Sequence, residues 1–324
     1  MNELIAPTCR IAVVIPCYKV RRHVLEVISK IGGDCWRIYA VDDACPENSG
    51  QLLAEECSDP RLRILCHKQN LGVGGAVMTG YRQAIADGAQ IIVKIDGDGQ
   101  IDPALIPAFV APLIAGQADY AKGNRFYDLE SLHGMPVIRI CGNAMLSLFS
   151  KLSTGYWDIF DPTNGYTAIR AEVATKLPLA KISQRYFFES DLLFRLNTLR
   201  AVVVDIPMDA RYADETSNLH IAPIVGEFLV KHVRNFGKRI FYNYFLRDVS
   251  LASLELVAGA CLIIFGASFG LYHWHQSFQA GVATPAGTVM VAALPILLGL
   301  QFLLAFVGYD IASIPRRPRS APLR

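Results

Sequence analysis

An apolar run at Ile91, Ile92, Val93 and Ile95 stops abruptly at Asp96-Gly97-Asp98-Gly99-Gln100. A short continuous run of this kind fits a strand buried on both faces, and such strands belong to sheets covered by helices on both sides. The stop therefore sets two carboxylates at the strand's carboxyl end, where open α/β sheets bind their ligands. Alternate residues of an extended segment share a face, so Asp96 and Asp98 can converge on one hard cation, with the Gln100 oxygen beside them. Mg²⁺ or Mn²⁺ held this way keeps coordination positions for phosphate oxygens. A solvated Asp-Gly turn is the plain alternative. An EF-hand is excluded, because counting from Asp96 the sixth and twelfth positions are Ile101 and Pro107, not Gly and Glu.

The preceding sequence repeats the pattern of that strand. Arg10 to Tyr18 reads as a first strand, Val24 to Ile31 as a helix, and Trp36 to Val41 as a second strand delivering Asp42 and Asp43 into a turn closed by Pro46, Asn48 and Gly50. A helix near Gln51 to Cys57, a strand at Leu62 to Cys66, a helix near Gly75 to Ala86, a helix at Pro103 to Ala115 and a strand at Asp119 to Gly123 follow. Strands alternating with helices imply a parallel sheet with its loops gathered at one rim, where Tyr18, Asp42, Asp43, Asp96, Asp98 and Arg125 fall. The segment Asn70-Leu71-Gly72-Val73-Gly74-Gly75 opens a helix and either turns tightly against its neighbours or offers bare amides to a phosphate. It matches neither a dinucleotide fingerprint, since Val77 stands where Gly is needed, nor a P-loop, since Tyr81 stands where Lys is needed.

Past Gly123 the alternation stops, as expected if the second half of the head builds an acceptor site. Met135 to Thr154 has helical spacing and carries Arg139, a turn and short strand follow at Asp161 to Val173, and Phe187 to Leu199 reads as a helix bearing Glu189 and Asp191. From Ile221 to Phe245 apolar and aromatic residues recur at helical spacing beside Lys231, Arg234, Lys238 and Arg239, the pattern of a helix lying in a membrane interface.

The chain's 52% hydrophobic content exceeds ordinary globular usage, and the excess sits at one end. Leu256 to Tyr272 and Val282 to Tyr309 carry no charge, and each is about long enough to cross a roughly 30 Å hydrocarbon core. Basic residues precede the first stretch and follow the second at Arg316, Arg317, Arg319 and Arg324, while His273 to Gly287 between them has none. The expectation is a hairpin with both flanks cytoplasmic, in a cell (inner) membrane. Met1 to Arg10 includes Glu3 and has no long apolar region, so no signal peptide is expected there. The eight cysteines form no CxxC pair and read as reduced, small buried apolar residues. A net charge of +2 gives no reason to expect a nucleic-acid partner, and a homo-oligomer is left open. The implied domains are a head over 1–219, a juxtamembrane helix over 220–249 and a two-helix hairpin with a basic tail over 250–324.

Taken in order, VVIPCY, VDDACPENSG, NLGVGG, KIDGDGQ, GNRF and DPTNGY, closed by two apolar spans, resemble glycosyltransferase family 2 and its dolichyl- or polyprenyl-phosphate sugar synthases. The resemblance runs from about Arg10 to Leu219. It implies a GT-A (Rossmann-like) mixed sheet and a nucleotide-sugar donor, UDP- or GDP-linked. It further implies a divalent metal on Asp96, Asp98 and Gln100, and nucleotide contacts from Pro16, Tyr18 and Asp43, with Asp42, Gly72 and Gly97 lining the same subsite. Arg125, Arg139 and Arg211, with Ser217, match positions that hold donor or acceptor phosphate. The chain departs from the family at Lys19-Val20, where many members read Asn-Glu, and at Ser217-Asn218, where members often read Ser-Lys.

An isoprenoid phosphate, with a second pKa of about 6, is already an ionised nucleophile at neutral pH and needs no general base. The expected work is to bring two anions together with arginines and to stabilise the departing nucleoside diphosphate, inverting the anomeric centre in one displacement. Glu189 or Asp191 remains a candidate base or sugar-orienting group. Three rivals carry different signatures: a processive polysaccharide synthase, which needs more spans and a Gln-x-x-Arg-Trp motif absent here; a transferase to a lipid hydroxyl, which needs a base; and an inactive nucleotide-binding membrane scaffold.

Overall fold

The computed structural model describes residues 9–127, 137–208, 221–319 and 322–323. The apolar runs become β1 (Ile11–Cys17), β2 (Cys35–Asp42), β3 (Leu62–Cys66) and β4 (Ile91–Lys94), joined by α1 (Val24–Ser29), α2 (Ser49–Glu56) and α3 (Val73–Ala86). A 3₁₀ turn at Pro103–Leu105 and α4 (Ile106–Ile114) lead to β5 (Tyr120–Asn124) and α5 (Val137–Thr154). Then come β6 (Thr167–Arg170), α6 (Ala171–Ala174), α7 (Phe188–Thr198) and β7 (Val203–Pro207). Seven strands make one sheet in the order β3-β2-β1-β4-β6-β5-β7. Branched side chains such as Val13, Ile15, Ile38 and Val93 are wholly enclosed by the covering helices, and Phe109 of α4 stacks on Tyr166 at 3.9 Å. Each such side chain contributes about 1.5–3 kcal/mol on burial.

The sheet is mixed, not parallel throughout as alternation alone implies. β6 lies between β4 and β5 and runs antiparallel to both, whereas β7 pairs parallel with β5. The reason lies before β6: Asp161 and Asn164 already stand beside Arg125 at the carboxyl end of β5, so the strand that follows sets out from the ligand rim. That rim gathers the carboxyl ends of β1, β2, β4 and β5 and the turn entering β6.

α8 (Ile221–Phe241), a π-turn at Tyr242–Leu246, α9 (Leu251–Ala280) and α10 (Ala286–Ala312) complete the chain. Contacts divide it into two compact units: one runs to Phe236 and resumes at Pro315, and the other is Gly237–Ile314. In the second unit α9 and α10 are long and apolar enough to cross a membrane. They approach through glycines; a Cβ on Gly259 would lie 2.9 Å from the Gly299 carbonyl. At the hairpin's open end Arg239 is enclosed and forks onto Asp310, which also accepts the Tyr244 hydroxyl at 2.6 Å. Arg239 thus differs from its expected place among lipid-facing charges, and Ile240 and Tyr244 are buried too.

Within the first unit, α8 has an inverted amphipathic character. Its covered side carries polar groups among aromatic rings, with His232 bonded to Ser153 at 2.7 Å and Asn235 to Asp191 at 3.1 Å, while Leu229, Val230 and Val233 are exposed. The final residues return to the head: the Arg319 amide donates to the buried Asp119 carboxylate at 3.0 Å, and the Leu323 amide to Ile114 O at 2.9 Å. Of the cysteines, Cys17, Cys35 and Cys45 are buried as expected, whereas Cys66 and Cys261 are exposed; all of these are free thiols.

Candidate active site

Lys94 and Asp96 are two residues apart at the end of β4 and meet on one side of it. Lys94 Nζ is fully enclosed and lies 2.7 Å from Asp96 Oδ1, while the Asp96 side chain remains 30% exposed. Only glycine fits at 165, since a Cβ there would overlap Asp96 Oδ2. Asp98 bends the loop by accepting the Gln100 amide on Oδ1 at 3.0 Å. Gly97 packs beneath, where a Cβ would meet Ile15 and Val20 at 3.2 and 3.3 Å.

Among the described residues no three His, Cys, Asp or Glu side chains are grouped to hold an ion unaided. Mg²⁺ does not require such a cage, because it takes one or two carboxylates and completes its octahedron with water and substrate phosphates. Asp96, Asp98 and Gln100 are hard oxygen donors on one half-exposed loop, and that donor set fits Mg²⁺ or Mn²⁺.

The acids at the end of β2 are arranged otherwise. Asp42 accepts the Cys45 amide at 2.7 Å and the Gly50 amide at 2.6 Å, capping the first turn of α2 from across the loop. Each of its oxygens accepts a backbone amide, so Asp42 shapes the turn that enters α2. Asp43 is 2% exposed; it accepts the Leu71 and Gly72 amides at 2.8 and 2.7 Å and meets His67 Nδ1 at 2.7 Å, with His67 Nε2 on Thr79 at 3.0 Å. Pro16 is buried within β1 opposite Val41, and Tyr18 is exposed at the rim.

The glycine loop resolves toward tight packing. Gly72 has φ +88°, its amide is taken by Asp43, and a Cβ on it would lie 2.7 Å from Gln184 O. Gly74 is equally crowded by Ser183 and Phe188, and the Gly75 amide donates to Gln184 O at 3.0 Å. The close approach these glycines allow is to the Ser183–Arg185 segment.

Beside β4, the guanidinium of Arg125 forks onto Asp161 at 2.8 and 3.0 Å, which fixes its plane while about a third of the side chain stays open. Lys122, buried on β5, donates to Asn164 O at 2.6 Å; burial lowers its pKa to about 8, against the pull of Glu189 and Asp161. Glu189 lies between the two lysines, 4.0 Å from Lys94 Nζ, and burial raises its pKa to about 7 despite both ammonium groups. Asp191 faces away from this cluster in its bonding: one oxygen takes the Ser183 amide and the Arg195 guanidinium, the other takes Asn235. These bonds tie Asp191, and with it α7, to the Ser183 segment and to α8. Arg211 and Ser217 lie outside the described residues, as does the side chain of Arg139.

Sequence reasoning missed Lys94, Lys122 and Asp161. The signal for Lys94 was present: in the run Ile91 to Asp96 it shares Asp96's side of the strand, and a lysine inside an otherwise buried strand needs a partner.

The model for Glycosyl transferase family 2 matches residues 12–177. Polyprenol monophosphomannose synthase of Mycolicibacterium smegmatis is 29% identical over 209 residues, 63% of this chain and 78% of that protein. UDP-N-acetylglucosamine–dolichyl-phosphate N-acetylglucosaminyltransferase of Methanococcus voltae is 26% identical, covering 63% of this chain and 86% of its own length. Undecaprenyl-phosphate mannosyltransferase of Micrococcus luteus is 28% identical, covering 61% and 81%. Among solved structures, glucosyl-3-phosphoglycerate synthase from Mycobacterium tuberculosis, in complex with Mn²⁺, UDP and glucosyl-3-phosphoglycerate, superposes with a TM-score of 0.53. It has 19% identity, with 71% of this chain and 80% of that one covered, and so shares the fold.

Proposed function

Because the chain belongs to glycosyl transferase family 2, with the GT-A fold, we propose that it moves a sugar from a nucleotide-sugar donor to a polyprenyl phosphate at the cytoplasmic face of a membrane. The observation that carries this reading is the half-exposed Asp96 and Asp98 at the sheet's ligand rim, in a chain that continues into two helices long and apolar enough to span a bilayer. The named relatives that act on polyprenol, dolichyl or undecaprenyl phosphate support the acceptor class.

Asp96, Asp98 and Gln100 hold the divalent cation, which supplies charge neutralisation for the departing nucleoside diphosphate. Tyr18, exposed at the rim, faces the nucleotide, while Asp43, bonded to the Leu71 and Gly72 amides and to His67, shapes the loop beside it. Arg125, its plane set by Asp161 and about a third of its side chain open, meets a phosphate, and Arg139 and Arg211 with Ser217 serve the acceptor. The acceptor oxygen attacks the anomeric carbon from the side opposite the diphosphate, forming the new C–O bond as the old one breaks and inverting the centre. No general base is required, since the acceptor phosphate is already ionised.

The membrane segments have a physical reason. Drawing a prenyl chain out of the bilayer costs about 0.8 kcal/mol per methylene, so the head must come to the lipid. The exposed apolar side of α8 rests in the interface and the α9–α10 hairpin anchors it. The test is a panel of labelled nucleotide sugars incubated with membranes containing the full chain and undecaprenyl or dolichyl phosphate. One sugar passing into the organic-extractable fraction, lost on chelation, supports the reading; label appearing only in a neutral glycolipid, or none at all, contradicts it.

A further inference from the structure

Two lysines stand inside the head, Lys94 at 1% and Lys122 at 0% exposure. Lys122 is committed to the Asn164 carbonyl. Lys94 is poised differently, with its ammonium 2.7 Å from Asp96 Oδ1 and 4.0 Å from Glu189 Oε1, one pairing made and a second a short step away. An enclosed ammonium cannot be left without a partner, because desolvation of an unpaired charge is far costlier than any exposed ion pair. Its four-carbon stem, unlike a planar guanidinium, re-aims readily. Glycine at 165 leaves the ammonium its space, since a Cβ there would lie 2.6 Å from Lys94 Nζ.

We propose that Lys94 is a positioning residue that holds Asp96 until a divalent cation arrives with the nucleotide diphosphate, and that it then passes its ion pair to Glu189. This rests on the reading of Asp96 as a metal ligand. A cation on Asp96 competes for the oxygen that Lys94 occupies and repels the ammonium, so loading is coupled to the exchange. Before loading, Lys94 keeps Asp96 in place. After loading, the Glu189 carboxylate, itself buried, receives the displaced charge. No bond is made or broken, and the charge around Lys94 stays compensated in both arrangements.

The exchange makes Lys94 a competitor of the metal, a sign opposite to that of a merely structural lysine. The test is Mn²⁺ binding, followed by electron paramagnetic resonance on the full chain in detergent micelles, with and without UDP. Wild type binds and Asp98→Asn does not. Lys94→Met is expected to bind Mn²⁺ about tenfold more tightly, because the competing cation is gone. Glu189→Gln is expected to weaken binding about tenfold while Lys94 is present, and by no more than about twofold in the Lys94→Met background. Weaker binding by folded Lys94→Met overturns the inference, as does an equal effect of Glu189→Gln in both backgrounds. Should Lys94→Met fail to fold, unchanged affinity in Glu189→Gln overturns it. Mn²⁺ binding indifferent to Asp98→Asn removes the metal reading and this inference together, whereas Asp98-dependent binding weakened by Lys94→Met removes this inference alone.

Discussion

Two pairs of acids close neighbouring regions of the same rim. Asp42 and Asp43 follow β2 without a spacer, are almost wholly buried, and bind backbone amides that shape the loops leading to α2 and α3. Asp96 and Asp98 follow β4 with a glycine between them and stay partly open, with the Lys94 ammonium and the Gln100 amide among their partners. The residue type is the same and the strand position nearly so. What differs is the supply of nearby donors: the β2 loop turns its own N–H groups inward, and an anion at a helix amino terminus is stabilised there. The β4 loop keeps both carboxylates partly open to solvent, which makes it the place where a cation gains most.

The sharpest break in that comparison is Asp98→Asn. Sugar transfer to polyprenyl phosphate should fall by about a thousandfold or more, with an unchanged unfolding midpoint, since the lost carboxylate serves the diphosphate and not the core. Next is Gly165→Ala, whose added methyl overlaps Asp96 Oδ2; displacing that carboxylate by a fraction of an ångström should cost about ten- to a hundredfold in transfer, with native circular dichroism retained. On the β2 side the effect should move from rate to stability. Asp42→Asn should lower unfolding free energy by about 1–3 kcal/mol while transfer by the folded fraction changes less than severalfold, read by thermal denaturation beside a transfer assay.

The smallest effect concerns a buried polar group of α8 with no part at the rim. Burial lowers the pKa of His232 to about 4, so its contribution is complete above the unfolded value of about 6.5 and is lost as pH falls toward 4. By about pH 5.5 the head should have lost on the order of 1 kcal/mol, and His232→Asn should flatten that part of the stability profile. An unaltered profile in the variant would show that other groups set the acid limit.

The first four strands were legible because each is an unbroken apolar run ended by a polar residue, and the two apolar helices because they carry so little charge. The direction of β6 was not, since strand polarity depends on where the chain arrives from, and Asp161 to Tyr166 reads locally as a turn whichever way the strand leaves. The placing of Asp96 and Asp98 at the strand's end could be read from spacing, but the bonding of Asp42 could not, because its partners are amides, which every residue but proline carries. Lys94 was half legible through its place in the strand. Its partner Glu189 arrives from α7 and has no local mark. On α8 the apolar stripe was plain, while the burial of the opposite, polar side at His232 and Asn235 depends on α5 and α7 supplying Ser153 and Asp191.

The most direct measurement is an anomalous difference map from crystals of the full chain soaked with Mn²⁺ and a nucleoside diphosphate. The account predicts one strong peak within coordination distance of both Asp96 and Asp98, contiguous with density for the diphosphate. A peak on Asp42 and Asp43, or a diphosphate bound at the rim with no metal at the end of β4, would contradict it.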